Sequence, residues 1–122
     1  MTTSPIIAIV DDDLPVRRAL RRLVEAGGYA GQTFASAEEF LDSLRRGRPA
    51  CLVLDIHLND GMNGFDLQER LVADGMGIPV VFITARNDAS TRQLMENSGA
   101  ASHLWKPVDE LALLDAIRRA IG

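Results

Sequence analysis

Cys51-Leu52-Val53-Leu54-Asp55-Ile56-His57 is the stretch whose reading decides the fold. Its mostly apolar residues run without a polar break and stop at a carboxylate. A short apolar run without alternation fits a strand buried on both faces, as inside a parallel sheet covered by helices. Asp55 then stands where the strand leaves the sheet, and in open parallel α/β sheets ligands bind beyond that end. A strand-ending Asp is also a common turn cap. Taken alone, Asp55 therefore has two readings: a turn residue, or a nucleophilic carboxylate that accepts a phosphoryl group.

The pattern repeats on both sides of this stretch. Ile6 to Val10 is an apolar, β-branched run followed by Asp11-Asp12-Asp13. Asp13 is suited to cap the next helix and Pro15 to its first turn. Val16, Leu20 and Leu23, joined by Ala19, share one helical face. Arg17, Arg18, Arg21 and Arg22 take the other, as a solvated side or a partner-docking one. Gly27-Gly28 ends that helix. Tyr29 to Phe34 reads as a second strand. Ser36 with Glu39 forms a capping box for a helix whose stripe is Phe40, Leu41 and Leu44. Arg45 to Pro49 is the break before the central strand.

Downstream, Leu58 to Gly64 is a polar, Gly-rich loop. Phe65 to Ala73 follows as a helix with Phe65, Leu67, Leu71 and Val72 as apolar positions, stopped by Gly75 and Gly77. Ile78 to Ile83 is another buried strand, ending at Thr84. Asp88 to Asn97 is a weakly amphipathic helix using Leu94 and Met95. Ala101 to Trp105 is the last strand, ending at Lys106-Pro107. Asp109 caps a final helix with Leu111, Leu114, Ile117 and Ile121 facing inward. Strand and helix thus alternate five times. The expected fold is α/β, a five-stranded parallel doubly wound sheet with helices on both faces.

The 122 residues make one domain, 1–122, long enough to bury a core. Apolar residues are 47% and charged ones 25%, and the formal net charge is -4, which gives no electrostatic reason to bind nucleic acid. The single cysteine, Cys51, excludes an internal disulfide and suits a reducing compartment. Met1 to Pro5 carries no leader pattern, and no apolar run approaches about 20 residues. The expectation is a cytoplasmic protein without a membrane span.

Polar residues collect at the C-terminal strand ends: Asp11 and Asp12, Asp55, Thr84 and Lys106. In a doubly wound sheet these ends share one edge. A topological switch between the first and third strands would set Asp11, Asp12 and Asp55 around one crevice. Three carboxylates that close resist ionising together unless something neutralises them. Mg2+ takes oxygen ligands and often binds through one or two carboxylates plus a phosphate. A lysine and a hydroxyl opposite it would meet the remaining phosphoryl oxygens. Phosphoryl transfer asks mainly for placement and charge neutralisation, and an aspartyl phosphate is a known covalent intermediate. Singly, each residue has an ordinary reading: a solvated acidic turn, a strand-end hydroxyl, a surface lysine. Their joint placement at the ends of four strands favours the phosphoryl-transfer reading.

These same residues carry a resemblance. Ile9-Val10-Asp11-Asp12-Asp13, Leu52-Val53-Leu54-Asp55, Gly61-Met62-Asn63-Gly64, Ile83-Thr84-Ala85 and Lys106-Pro107 make the chain resemble, over its whole length, the receiver domain of bacterial two-component response regulators. The arginine-rich first helix and Phe34-Ala35-Ser36-Ala37-Glu38-Glu39-Phe40-Leu41 look most like the nitrogen-fixation and nodulation type. The resemblance implies a flavodoxin-like (βα)5 fold with strand order 2-1-3-4-5. It implies that Asp55 takes a phosphoryl group from a phosphohistidine on a sensor histidine kinase or phosphotransfer protein. It implies Mg2+ held directly by Asp12, Asp55 and the His57 backbone carbonyl, with Asp11 acting through water. Thr84 and Lys106 would contact the phosphoryl group, and the small Ala85 would leave it accessible. His57 and Arg86 would border it and tune hydrolysis, or be plain surface residues. The Lys106-Pro107 bond would be cis.

Two departures from the family pattern stand out. The loop Leu58-Asn59-Asp60-Gly61-Met62-Asn63-Gly64 lacks the usual proline and carries one residue more before the closing glycine. His103 stands where an inward-turning Tyr or Phe is usual. It is either a switch residue with added pH dependence or a partly exposed histidine. Trp105 reads as packing or interface. Three functions compete: a phosphorylatable switch, a Mg2+-dependent phosphohydrolase with an aspartyl intermediate, and an interaction module that works without phosphorylation. The first implies a downstream protein target or an output domain. It also implies a possible phosphorylation-dependent homodimer through the fourth helix, fifth strand and fifth helix.

Overall fold

The structure, a computed structural model, describes residues 4–59 and 61–122. Readings that fall on Met1 to Thr3 and on Asp60, in the middle of the Leu58–Gly64 loop, lie outside the described residues. Strands and helices alternate as β1 (Ile6–Val10), α1 (Leu14–Ala26), β2 (Ala30–Phe34), α2 (Ala37–Ser43), β3 (Cys51–Asp55), α3 (Gly64–Ala73), β4 (Val80–Thr84), α4 (Ala89–Asn97), β5 (Ser102–Trp105) and α5 (Glu110–Ile121). A 3-10 turn at Leu44–Arg46 extends α2. All strand pairs are parallel, in the order β2-β1-β3-β4-β5. This is the doubly wound parallel sheet that the strand–helix alternation predicts, in the flavodoxin-like order that the resemblance implies.

The two-residue period of a strand sends alternate side chains to opposite faces, and both faces of the central strands are covered. Leu52 and Leu54 of β3 join Phe40 of α2, Leu67 and Leu71 of α3 and Met95 of α4 on one side. Cys51 and Val53 join Leu20 and Val24 of α1 and Leu113 and Ile117 of α5 on the other. That two-sided burial explains the unbroken apolar run of β3, in which every residue is buried. It also raises the Cys51 thiol to about 12, which leaves it unreactive. β5 is an edge strand and its exposure alternates: Ser102 and Leu104 are half-buried, His103 and Trp105 are exposed.

Helix starts follow the capping chemistry of the sequence. Asp13, Ser36, Asn63, Asp88 and Asp109 each accept a backbone N–H from the first turn of their helix. The Ser36–Glu39 box is only half made, because Glu39 reaches the Ala35 N–H instead of that of Ser36. The complete box is Asn63 with Asp66.

Several inward-facing expectations are corrected. Val24, not Ala19, is the second buried position of α1. Val72, Leu94, Leu111 and Ile121 are exposed. Gln68, Thr91 and Leu113 occupy the inward positions of those helices instead.

Candidate functional site

The site is built where β1 and β3 end side by side. Their onward connections leave toward opposite faces, which opens a crevice at that rim. Asp11 is fully buried and Asp55 nearly so, while Asp12 is half-buried. One carboxylate oxygen from each of Asp11, Asp12 and Asp55 lies within 4.8 Å of the others. Lys106 enters from the end of β5. Its Nζ is 2.8 Å from Asp11 Oδ2 and 3.2 Å from Asp55 Oδ2, so one ammonium bridges two carboxylates. The Lys106–Pro107 peptide bond is cis.

Neighbouring groups fix the acids in place. Asp11 Oδ1 accepts the Asp13 N–H at 2.9 Å, and the Asp11 carbonyl accepts from Arg17 Nη1 at 2.6 Å. Asp12 Oδ2 accepts the Asn59 N–H at 2.7 Å. Asp55 Oδ1 accepts the His57 N–H at 3.2 Å. Gly64 closes the far side: its N–H donates to the Ile56 carbonyl at 2.9 Å, bringing the start of α3 against the end of β3.

Burial raises the Asp55 carboxyl, and the nearby Asp11 charge raises it further. Lys106 and the His57 N–H pull the other way, and the result stands at about 6. Lys106 loses hydration by burial, which lowers its pKa, but Asp11 and Asp55 outweigh this and its pKa is raised. His57 is lowered by burial and then by the Arg86 charge.

The Asp55 shift has a consequence for stability. A carboxyl raised in the folded state binds its proton more tightly there than in the unfolded chain. Its contribution is therefore most favourable below the unfolded value of 3.8 and is lost as pH rises through about 6. Two pH units of difference correspond to about 3 kcal/mol. Urea unfolding in chelator at about pH 4 and about pH 7 should show this loss in the wild type relative to Asp55→Asn, with the gap opening between those values.

The other expected site residues lie as follows. Thr84 is fully buried at the end of β4, and its Oγ1 accepts the Arg86 N–H at 3.1 Å. Ala85 and Arg86 are exposed beyond it. The His57 ring is half-buried, and its Nε2 is enclosed without a hydrogen-bond partner. His103 is exposed on β5 with its ring edge-on to Trp105, centroids 6.1 Å apart. The structure thus brings Asp11, Asp12, Asp55 and Lys106 into direct proximity, has Thr84 ending the adjacent strand, and leaves His103 facing outward.

Two supporting groups escaped the sequence reading. From the sequence, Arg17 belongs to the polar face of α1. Helical side chains lean toward the N-terminus, and this one reaches back over the acidic turn. Asn59 contributes only its backbone N–H, for which no side-chain signature exists.

The donor set fits a hard divalent cation. Three carboxylates converge with oxygen atoms only, and the buried Asp11 Oδ2 makes its ion pair with Lys106 but no aligned hydrogen bond.

The family model described as the response regulator receiver domain matches residues 7–118. The chain is 37% identical over 116 residues to the response regulator protein TodT of Pseudomonas putida, covering 95% of this chain and 51% of that one. It is 36% identical to nodulation protein W of Bradyrhizobium diazoefficiens, with the same coverage. The chain spans about half the length of these curated relatives. The crystal structure of FixJ-N superposes with a TM-score of 0.87 at 31% identity, covering 99% of this chain and 95% of that one.

Proposed function

Since this chain belongs to the response regulator receiver domain family, a family of phosphorelay signalling modules, we propose that Asp55 is its phosphoryl acceptor. An Asp55 carboxylate oxygen attacks the phosphorus of a phosphohistidine on a sensor kinase or phosphotransfer protein. The O–P bond forms, the N–P bond breaks, and the imidazole leaves with a proton. The observation that carries this reading is the Lys106 ammonium between Asp11 and Asp55, 2.8 and 3.2 Å away. It places a fixed positive charge where phosphoryl oxygens would gather, beside an acid held in one orientation.

Asp11, Asp12 and Asp55, with the His57 carbonyl, would hold Mg2+. When bound, the cation neutralises phosphoryl oxygens and offsets the mutual repulsion of the three acids. Thr84 would turn its hydroxyl to the phosphoryl group, giving up the Arg86 N–H. Ala85 keeps the approach open. His57 and Arg86 border the route of the water that later hydrolyses the acyl phosphate, so the domain would also catalyse its own dephosphorylation. The second position after Asp55 is His57, not a carboxylate, which speaks against a general phosphohydrolase.

The output would be a changed surface on α4, β5 and α5. Trp105 and Leu111 are exposed there, alongside His103. They suit a protein target, an output domain or a second copy. His103 would act there as the switch residue. The setting would be cytoplasmic; among the described residues no helix is long and apolar enough to cross a membrane.

The test is incubation with a small phosphodonor and MgCl2. We expect a mass gain of one phosphoryl group that alkali or hydroxylamine removes and that chelator prevents. Absence of any acid-anhydride phosphate under those conditions overturns the reading.

A further inference from the structure

The turn from β1 into α1 carries two of the three converging acids on adjacent residues, Asp11 and Asp12. Asp11 is the first residue past β1, and its N–H still donates to the Phe34 carbonyl of β2 at 3.2 Å. Its carbonyl accepts from Arg17 Nη1 at 2.6 Å. Arg17 also holds the other end of the turn, because its backbone N–H donates to the Asp13 carbonyl at 2.9 Å. Within the turn, the Asp13 N–H donates to Asp11 Oδ1 at 2.9 Å. The Arg17 side chain is half-buried and reaches back toward the start of its helix, the direction in which helical side chains lean. One residue of α1 thus grips the acidic turn at both ends.

We propose that Arg17 is a positioning residue for the Asp11 and Asp12 carboxylates, acting through the peptide unit that joins them. The inference rests on the proposed function, since it concerns these acids as cation ligands. A peptide unit is planar, so turning its carbonyl changes ψ of the residue before it and φ of the residue after it. Here those residues are Asp11 and Asp12, and a hold on the one carbonyl sets where both side chains point. A carboxylate set in advance needs no ordering when the cation arrives. One that is free must be ordered at the expense of affinity, and losing such an outer support commonly weakens metal binding about 10- to 100-fold. The competing explanation is the field of the guanidinium alone. The two have opposite signs. A fixed positive charge repels a cation, so removing it would tighten Mg2+ binding. Removing a support would weaken it.

The experiment titrates MgCl2 into the chain by calorimetry, without phosphodonor, for the wild type, Arg17→Met, Arg17→Gln, Arg17→Lys and Arg18→Met. Amide exchange at Asp13 is followed in the metal-free proteins. We expect Arg17→Met and Arg17→Gln to bind Mg2+ about tenfold more weakly, with faster exchange at Asp13. Gln is polar and shorter than Arg, so it carries the comparison if Arg17→Met fails to fold. Arg17→Lys keeps a long chain with a donor and should stay within about threefold of the wild type. Arg18 is exposed on the same helix, and Arg18→Met removes a charge that solvent screens, for a change within about twofold. Labelling with acetyl phosphate separates binding from transfer. The MgCl2 needed for half the maximal rate should rise about tenfold in Arg17→Met, while the rate at saturating MgCl2 stays within about twofold. Unchanged or tighter Mg2+ binding in Arg17→Met would overturn the proposal and leave Asp55 as acceptor untouched. A labelling rate that saturating MgCl2 does not restore would put Arg17 in the transfer step and also overturn it. A wild type that binds no Mg2+ would overturn both readings.

Discussion

Asp55→Asn should take up no phosphoryl group from any donor that labels the wild type, a complete loss and not a reduction. A carboxamide oxygen carries no full negative charge, and the acyl phosphate it would need to form has no amide equivalent of comparable stability. Among the described residues neither neighbouring acid substitutes: Asp11 is fully buried with its Oδ2 at Lys106, and Asp12 Oδ2 is committed to the Asn59 N–H. The same variant should be more stable than the wild type at neutral pH in chelator, by up to about 3 kcal/mol, because it removes the charge that burial and Asp11 oppose. Loss of function with gain of stability separates a site acid from a structural one. Full labelling of Asp55→Asn would move the nucleophile elsewhere. A fall in its stability would mean that the Lys106 bridge outweighs the repulsion.

The second large effect falls on a residue without a side chain. Gly64→Ala would put a Cβ 2.7 Å from the Asp55 carbonyl oxygen and 2.7 Å from Ile56 Cα. Both obstacles are backbone, so no rotamer change relieves them. Either α3 lifts away from β3 or the end of β3 gives way. Over-packing of this kind costs about 1–3 kcal/mol and more where the neighbour is rigid; with two backbone contacts we expect about 3 kcal/mol, read from the urea midpoint at unchanged slope. Because the displaced carbonyl belongs to Asp55, Mg2+ affinity should fall as well. Gly75→Ala is the control. It has φ 64° and open space around it, so it meets conformational strain alone, about 1 kcal/mol. A Gly64→Ala variant no worse than that control would show that the start of α3 is softer than its packing implies.

The alternation of strands and helices and three of the caps are legible because they rest on local chemistry, whereas the strand order comes with the family resemblance. The apolar run at Cys51–Asp55 needs cover on both faces, and Asp13, Ser36 and Asp109 stand one position before helices that need an acceptor. The gathering of Asp11, Asp12, Asp55 and Lys106 followed from topology, since parallel strands share one C-terminal rim. What stayed hidden depended on neighbours remote in the chain. Val72 and Leu94 look like core residues, yet both line an open groove between α3 and α4 and stay exposed. Leu111 is exposed on α5, and Leu113 takes the inward place. The roles of Arg17 and Asn59 depend on a backbone partner or on their own backbone, and residue identity does not announce such bonds.

The pairing of β4 with β5 sets Thr84 directly opposite Trp105. One is wholly enclosed and the other reaches solvent. Adjacent strands lie about 4.8 Å apart, so a Thr84 hydroxyl that turned to a phosphoryl group, as proposed, would do so a single ladder rung away from an indole that reaches solvent. The path from chemistry to audience would then be as short as a sheet allows, and its last member is a natural fluorophore that would report the event without a label.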